Sequence, residues 1–75
     1  MSLSLGIIVK YHLQRCDQTH SWLAGQVGVT KQHIGGIIAG RSDASRGLRV
    51  EIARVFELDD EDKLALMTAS VGGAA

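Results

Sequence analysis

The segment of residues 19–40, THSWLAGQVGVTKQHIGGIIAG, constrains the fold more than any other part of this chain. It contains two short apolar patterns of helical spacing on either side of Gly28, a residue that can adopt the positive φ that ends a helix. Thr30 follows where its side-chain oxygen can cap the next helix, and Gly40 supplies the next stop. The sequence therefore predicts two helices joined by a tight turn. Their predicted core-facing residues are Leu23, Ala24, Val27, Ile34, Ile37 and Ile38.

The outer face of the second of these helices begins with two polar side chains. Because Ile34, Ile37 and Ile38 lie on one side of the helix, Lys31 and Gln32 are predicted to point outward. A short helix with an apolar back and hydrogen-bonding side chains in its first turn suits the major groove of DNA. This pattern predicts that the chain contacts double-stranded DNA.

Length and composition predict a single all-helical domain. The chain has 75 residues, 45% of them hydrophobic, and no proline, which favours a helical bundle over a β-sandwich or barrel. We expect the domain to span residues 1–71 and the small residues 72–75 to fray. The lone cysteine, Cys16, excludes an internal disulfide, and no long apolar run or leader pattern is present, so we expect a cytoplasmic protein without a membrane span.

The net charge of zero conceals an asymmetry along the chain. Residues 1–56 contain seven Lys or Arg and three Asp or Glu, a balance of +4, whereas residues 57–75 contain one Lys and five acids, a balance of −4. DNA phosphates respond to the local field rather than to the total charge. We therefore expect the basic part to face DNA, and the acidic residues 57–62 to face away from it or to meet a basic surface on a partner.

Three further helices complete the predicted bundle. The first carries an apolar stripe that includes His12 and ends near Arg15, and the fourth has its apolar side at Leu48, Ile52 and Phe56. The residues placed to cap the five helices are Ser2 or Ser4, Thr19, Thr30, Ser45, and Asp59 or Asp60. The predicted apolar stripe of the fifth helix consists of Leu64, Met67 and Val71.

Residues 19–40 resemble the helix-turn-helix of the lambda-repressor and Cro class, also called the XRE family. The matching residues are Thr19, Leu23, Ala24, Val27, Gly28, Val29, Thr30, Ile34, Ile37 and Gly40. The resemblance extends over residues 5–58, where Ile52, Ala53 and Phe56 are similar to the later helix that closes that fold. It implies an all-α, five-helix, lambda-repressor-like bundle. It also implies a transcriptional regulator of the phage or prophage type that binds a near-palindromic operator as a homodimer.

The resemblance implies roles for individual residues. The residues implied to contact base edges are Lys31, Gln32, His33, Gly35 and Gly36. The residues implied to contact phosphates are Thr19, His20, Arg41 and Arg46. His33 has an alternative interpretation as a solvated side chain. The pair Gly35 and Gly36 departs from the family, in which side chains that touch DNA usually occupy these positions.

The departures from the family leave alternatives open. The glycine pair permits either close approach of the helix to DNA or a pliable helix that orders on DNA, and a third interpretation is loss of contacts in a weak binder. Trp22 is interpreted as a half-buried side chain that packs on the first helix, with an exposed anchor for a partner as the alternative.

The fifth helix is the predicted dimer interface. Leu64, Leu66 and Met67 give it more apolar surface than one edge of a small bundle requires, and such a surplus is typical of an interface.

Other functional classes receive little support from the sequence. His12, Cys16 and His20 do not match a zinc-ligand spacing, and no nucleophile with a nearby base, phosphate-binding glycine loop or paired carboxylates indicate an enzyme. We expect no metal, no cofactor and no small-molecule ligand. Two alternatives to the regulator are an antitoxin-type protein that binds a partner through the fifth helix, and an interaction module that has lost base reading.

Overall fold

The computed structural model describes residues 4–71. This part of the chain forms five α-helices and contains no strand. The helices are α1 (Leu5–Arg15), α2 (His20–Val27), α3 (Lys31–Ile38), α4 (Arg46–Val55) and α5 (Asp60–Thr68). The predicted all-α class and the five helices are thus confirmed, and the predicted fraying of residues 72–75 lies outside the described residues.

Each helix begins at a side-chain cap that the sequence predicts. The cap oxygen accepts a hydrogen bond from the backbone N–H three residues further on, which satisfies one of the amides that lack an intrahelical acceptor. The caps are Ser4, Thr19, Thr30, Ser45 and Asp59, with N···O distances of 3.3, 3.1, 3.1, 3.2 and 2.8 Å.

Left-handed residues end four of the five helices. Gly28 (φ 75°) ends α2 and Gly40 (φ 82°) follows α3, as the sequence predicts. Asp17 (φ 55°) and Glu57 (φ 52°) adopt the same conformation after α1 and α4. Neither residue is a glycine, so the sequence indicates these two helix ends less strongly than Gly28 indicates the end of α2.

The core is formed by one set of aliphatic side chains from all five helices. Helices α2 and α3 pack against each other, α3 also packs on α1 and α2 on α4, and α5 closes the bundle against α4 and α1. Trp22 is half-buried, with its ring centroid 6.1 Å from that of Phe56 at the end of α4. The side chains with almost no exposure are Leu5, Val9, Leu23, Ile34, Ile37, Ile52 and Leu66.

The predicted apolar stripe of α5 is wrong. Leu66 is fully buried and Ala69 is buried with it, whereas Leu64 is 63% exposed. The face that α5 turns towards the core is set by α4. The Arg49 guanidinium of α4 donates to the carbonyl oxygens of residues 66, 67 and 69 at the end of α5. Leu66 is therefore a core residue, and its assignment to a dimer interface is corrected.

None of the helices within residues 4–71 combines the length and apolar character needed to cross a bilayer.

Candidate nucleic-acid interface

The first turn of α3 presents two exposed hydrogen-bonding side chains. Lys31 and Gln32 are exposed, whereas Ile34 and Ile37 are almost completely buried. The helix is only eight residues long and its start is fixed by the Thr30 cap. The arrangement expected from the sequence is present: an apolar back held in the core and a polar front in solvent.

The start of α2 lies beside the middle of α3. Thr19 is exposed, and its Oγ1 accepts the N–H of Trp22. The ring of His20 reaches towards α3, and its Nδ1 lies 3.9 Å from the position that a Cβ on Gly35 would occupy. Thr19, His20 and the half-exposed Gly35 therefore lie close together, next to the outward turn of α3.

The two adjacent glycines of α3 lie in different surroundings. Gly35 faces the His20 ring with room for a methyl group, as expected for an outward position. Gly36 is buried, and a Cβ placed on it would lie 2.8 Å from Oγ of Ser42 in the loop that follows α3. The expected outward placement of Gly36, and with it a base contact, is wrong because this position faces the protein's own loop.

The loop after α3 folds back onto that helix. The carbonyl oxygen of Gly36 accepts hydrogen bonds from the backbone N–H groups of Arg41 (2.8 Å) and Ser42 (3.1 Å). Arg41 itself is exposed. The backbone of Arg41, a predicted phosphate ligand, is thus held near α3.

Arg49 is the most extensively bonded side chain of the described structure, and it is absent from the residues singled out by the sequence pattern. It is buried, and its Nη1 donates to the carbonyl oxygens of Leu66 and Met67, each at 3.1 Å, and to that of Ala69. Because Nη1 has two N–H bonds, at least one of them is shared between two of these three carbonyls at the end of α5. The sequence did contain an indication that Arg49 is buried, because it lies three residues before Ile52 and therefore on the apolar stripe of α4.

The other side of the Arg49 guanidinium holds the loop that carries Arg41. Nε donates to the carbonyl oxygen of Ala44 at 3.0 Å, and Nη2 pairs with Oδ1 of Asp43 at 2.7 Å. The pKa of the Asp43 carboxyl lies below its ordinary value, chiefly because the Ala44 N–H donates to it and then because of Arg49. The loop is therefore anchored to α3 at its start and to α4 at its end.

Charge is distributed so that α2 and α3 carry no negative side chain. Residues 18–42, which include all of α2 and α3, contain no Asp or Glu. Arg49 and Arg54 are paired with Asp43 and Glu51, whereas Lys31 and Arg41 form no ion pair within residues 4–71. An approaching polyanion would meet two uncompensated cations and no repelling carboxylate along this segment.

Arg46, the fourth predicted phosphate ligand, lies at a different feature. It is the exposed first residue of α4 and borders a groove of about 770 Å³ between α4 and α5. The groove also contains Val50, Leu64 and Met67, and Lys63 on its α5 side. Two of these apolar side chains, Val50 and Leu64, are exposed to solvent.

The residues considered for a metal site are not brought together. His12 is buried between the rings of Tyr11 and Phe56, and its Nδ1 is 3.1 Å from a guanidinium nitrogen of Arg15. Cys16 is exposed. Within residues 4–71, no three His, Cys, Asp or Glu side chains are close enough to share a metal ion.

No protein-family model, curated protein or solved structure matches this chain.

Proposed function

We propose that this protein is a sequence-specific DNA-binding regulator of transcription, with α2 and α3 as a lambda-repressor-like helix-turn-helix. The observation that carries the proposal is the orientation of α3. Its Ile34 and Ile37 are locked in the core while Lys31 and Gln32 project from its capped first turn. We call α3 the recognition helix below.

The two side chains have the chemistry that base reading requires. A lysine ammonium suits the O6 and N7 acceptors of guanine in the major groove, and a glutamine amide pairs with N6 and N7 of adenine. Both residues lie on the first turn of α3, the part of a recognition helix that reaches base edges in helix-turn-helix proteins. Lys31 and Gln32 are therefore the proposed base readers.

Phosphate contacts on both sides of α3 would hold the helix in register. Thr19 and His20 stand at the start of α2, where the first-turn N–H groups attract an anion, and Arg41 stands in the loop after α3. These contacts carry no sequence information, but they would supply most of the binding free energy and its salt dependence. The carboxylate-free segment 18–42 favours the same orientation.

The proposed regulator binds a near-palindromic operator as a homodimer through the α4–α5 groove. The exposed Leu64 and Val50 supply apolar area, and Arg46 and Lys63 supply positive charge at the same groove. The start of α5 is acidic over residues 59–62. A two-fold arrangement with antiparallel α5 helices would place these carboxylates opposite the partner's Arg46, which adds charge complementarity to apolar contact.

The experiment that tests this proposal is selection from a pool of random duplexes in low salt, followed by titration of the selected and a scrambled duplex. We expect a two-fold symmetric consensus, tighter binding of the selected duplex, and a steep loss of affinity with rising salt. Enrichment of no sequence, together with equal affinity for both duplexes, would contradict base reading.

A second candidate function is a protein-interaction module of the antitoxin type. The observation that favours it is the groove between α4 and α5, whose exposed Leu64 and Val50 could hold a segment of another protein. The same titration separates the two functions, because an interaction module that has lost base reading would bind no duplex even in low salt.

A further inference from the structure

The loop of residues 41–44 is held at both ends by hydrogen bonds to buried groups. At its start, the amides of Arg41 and Ser42 share the carbonyl oxygen of Gly36 in the recognition helix. At its end, the carbonyl of Ala44 and the carboxylate of Asp43 both accept from Arg49. The exposed Arg41 side chain is thus attached to a short segment whose backbone is anchored at both ends.

Arg49 owes its own position to the end of α5. Its Nη1 is fixed by the carbonyls of Leu66, Met67 and Ala69, seventeen to twenty residues away in sequence. One guanidinium therefore connects the last turn of α5 to the loop, and the loop connects to the recognition helix. The hydrogen bonds of Arg49 are buried or partly buried, and each restrains the groups on either side of it.

We propose that Arg49, acting through Asp43, is a positioning residue that holds Arg41 in place for a DNA phosphate. This proposal rests on the function proposed above and deepens it. Arg49 contacts no DNA itself, since it is buried against the end of α5. Its effect is to remove, before DNA arrives, the conformational freedom that Arg41 would otherwise lose on binding.

The test compares Asp43→Ala with Glu51→Ala. Each variant removes one solvent-accessible carboxylate that pairs with an arginine of α4; the arginine is buried in the Asp43 pair and exposed in the Glu51 pair. Loss of a negative charge by itself strengthens DNA binding, so electrostatics alone predicts the same sign for both variants. We expect Asp43→Ala to bind the selected duplex about three- to tenfold more weakly than wild type, and Glu51→Ala to bind at least as tightly as wild type.

A double-mutant cycle with Arg41→Ala isolates the positioning effect. If Asp43 acts only by positioning Arg41, its replacement should change the affinity less than about twofold once Arg41 is already absent. The salt dependence of the affinity should stay close to that of wild type in Asp43→Ala, because Arg41 still reaches its phosphate once the ordering cost has been met, whereas in Arg41→Ala it should fall by about one unit of slope. A merely structural role of Asp43 would weaken binding in both backgrounds.

Amide hydrogen exchange of the DNA-free protein gives a second readout that is independent of binding. The amides of Arg41 and Ser42 donate to Gly36, so release of the far end of the loop should accelerate their exchange in Asp43→Ala and not in Glu51→Ala. Unchanged exchange of both amides would overturn the proposal. Both variants keep Arg49 and its bonds to the carbonyl oxygens of Ala44 and the end of α5, and urea denaturation of each checks that the fold is retained.

The outcomes distinguish failure of the proposed function from failure of the positioning proposal. If wild type binds no duplex in low salt, the proposed function is wrong and the positioning proposal falls with it. If wild type binds and the Asp43 and Glu51 variants behave alike, only the positioning proposal is overturned. Weaker binding by Asp43→Ala that disappears in the Arg41→Ala background supports it.

Discussion

Gly6 lies so close to Ile38 that a Cβ on Gly6 would be 2.5 Å from the carbonyl oxygen of Ile38 and 2.7 Å from that of Ile37. The first turn of α1 therefore rests directly on the backbone at the end of the recognition helix. Both obstructing atoms belong to the backbone and not to movable side chains, so this contact requires a glycine.

Replacement of Gly6 tests this contact. Gly6→Ala should lower the free energy of unfolding by about 1–3 kcal/mol or more, since a methyl group would push α1 away from α3. Gly25→Ala is the matched control, because that glycine is also helical and has nothing within 4 Å of the added Cβ. The control should gain up to about 1 kcal/mol from the better helix propensity of alanine. Urea denaturation measures both, and equal effects of the two substitutions would contradict the close approach.

The glycine pair of α3 should respond differently at its two positions. Gly35→Ala should stabilise the fold by up to about 1 kcal/mol, because its Cβ would make only ordinary contact with His20. Gly36→Ala should gain less or lose stability, because Ser42 Oγ occupies that space. In a Ser42→Ala background the Gly36→Ala substitution should become more favourable. Thermal melts of the set measure this, and an identical effect of Gly36→Ala in both backgrounds would show that Ser42 is not the obstacle.

The stability of the fold should fall as the pH is lowered through the histidine range. Burial lowers the pKa of His12, the positive charge of Arg15 lowers it further, and Asp62 opposes both effects. The folded state therefore favours neutral His12, whereas the unfolded chain takes up a proton near the ordinary value of about 6.5. The contribution of His12 to the free energy of unfolding is fully present above the ordinary pKa of the unfolded chain, and it decreases as the pH falls below that pKa.

Denaturation midpoints at pH 7.5, 6.5 and 5.5 measure this dependence. The wild type should become less stable over the series, and His12→Gln should reduce the slope. Gln14→Ala, an exposed and uncharged position on the same helix, is the control and should keep the wild-type slope. A slope that is the same in all three proteins would show that His12 is not responsible.

The proposed dimer predicts that Leu64→Glu is monomeric. Leu64 is 63% exposed, so the substitution should leave the fold intact and place a charge in the groove between α4 and α5. Ile7→Glu is the matched control, because Ile7 is 54% exposed on α1, which does not line this groove. Sedimentation should report a monomer for the first variant and a dimer for the second. A dimer that survives Leu64→Glu would place the interface elsewhere, and a wild type that is monomeric at high concentration would contradict the homodimer.

The features that the sequence predicted are those with local causes. Thr19, Thr30 and Ser45 cap the helices that follow them, and Gly28 ends α2, because each acts on backbone groups within a few residues. The inward face of α3 could also be predicted, since three isoleucines at helical spacing leave only one way to bury them.

The features that could not be predicted depend on contacts between distant parts of the chain. The orientation of α5 is set by Arg49, which lies seventeen residues before Leu66. A charged residue within an apolar stripe is more often solvated than buried, so its role becomes visible only with its partners. The burial of Gly36 could not be predicted for a related reason. Helical spacing does not show that the loop at Ser42 folds back over this position.

The most direct test of base reading by the recognition helix is the effect of Gln32→Ala on binding to the selected and scrambled duplexes. Gln32 is exposed on the first turn of the recognition helix, and its replacement should cost about 1–3 kcal/mol on the selected duplex and relax the preference at one base position. Affinity for the scrambled duplex should be unchanged, as should both affinities of the control Gln14→Ala on α1. An equal loss on both duplexes, or no loss on either, would contradict base reading by Gln32 and with it the proposed orientation of α3 on DNA.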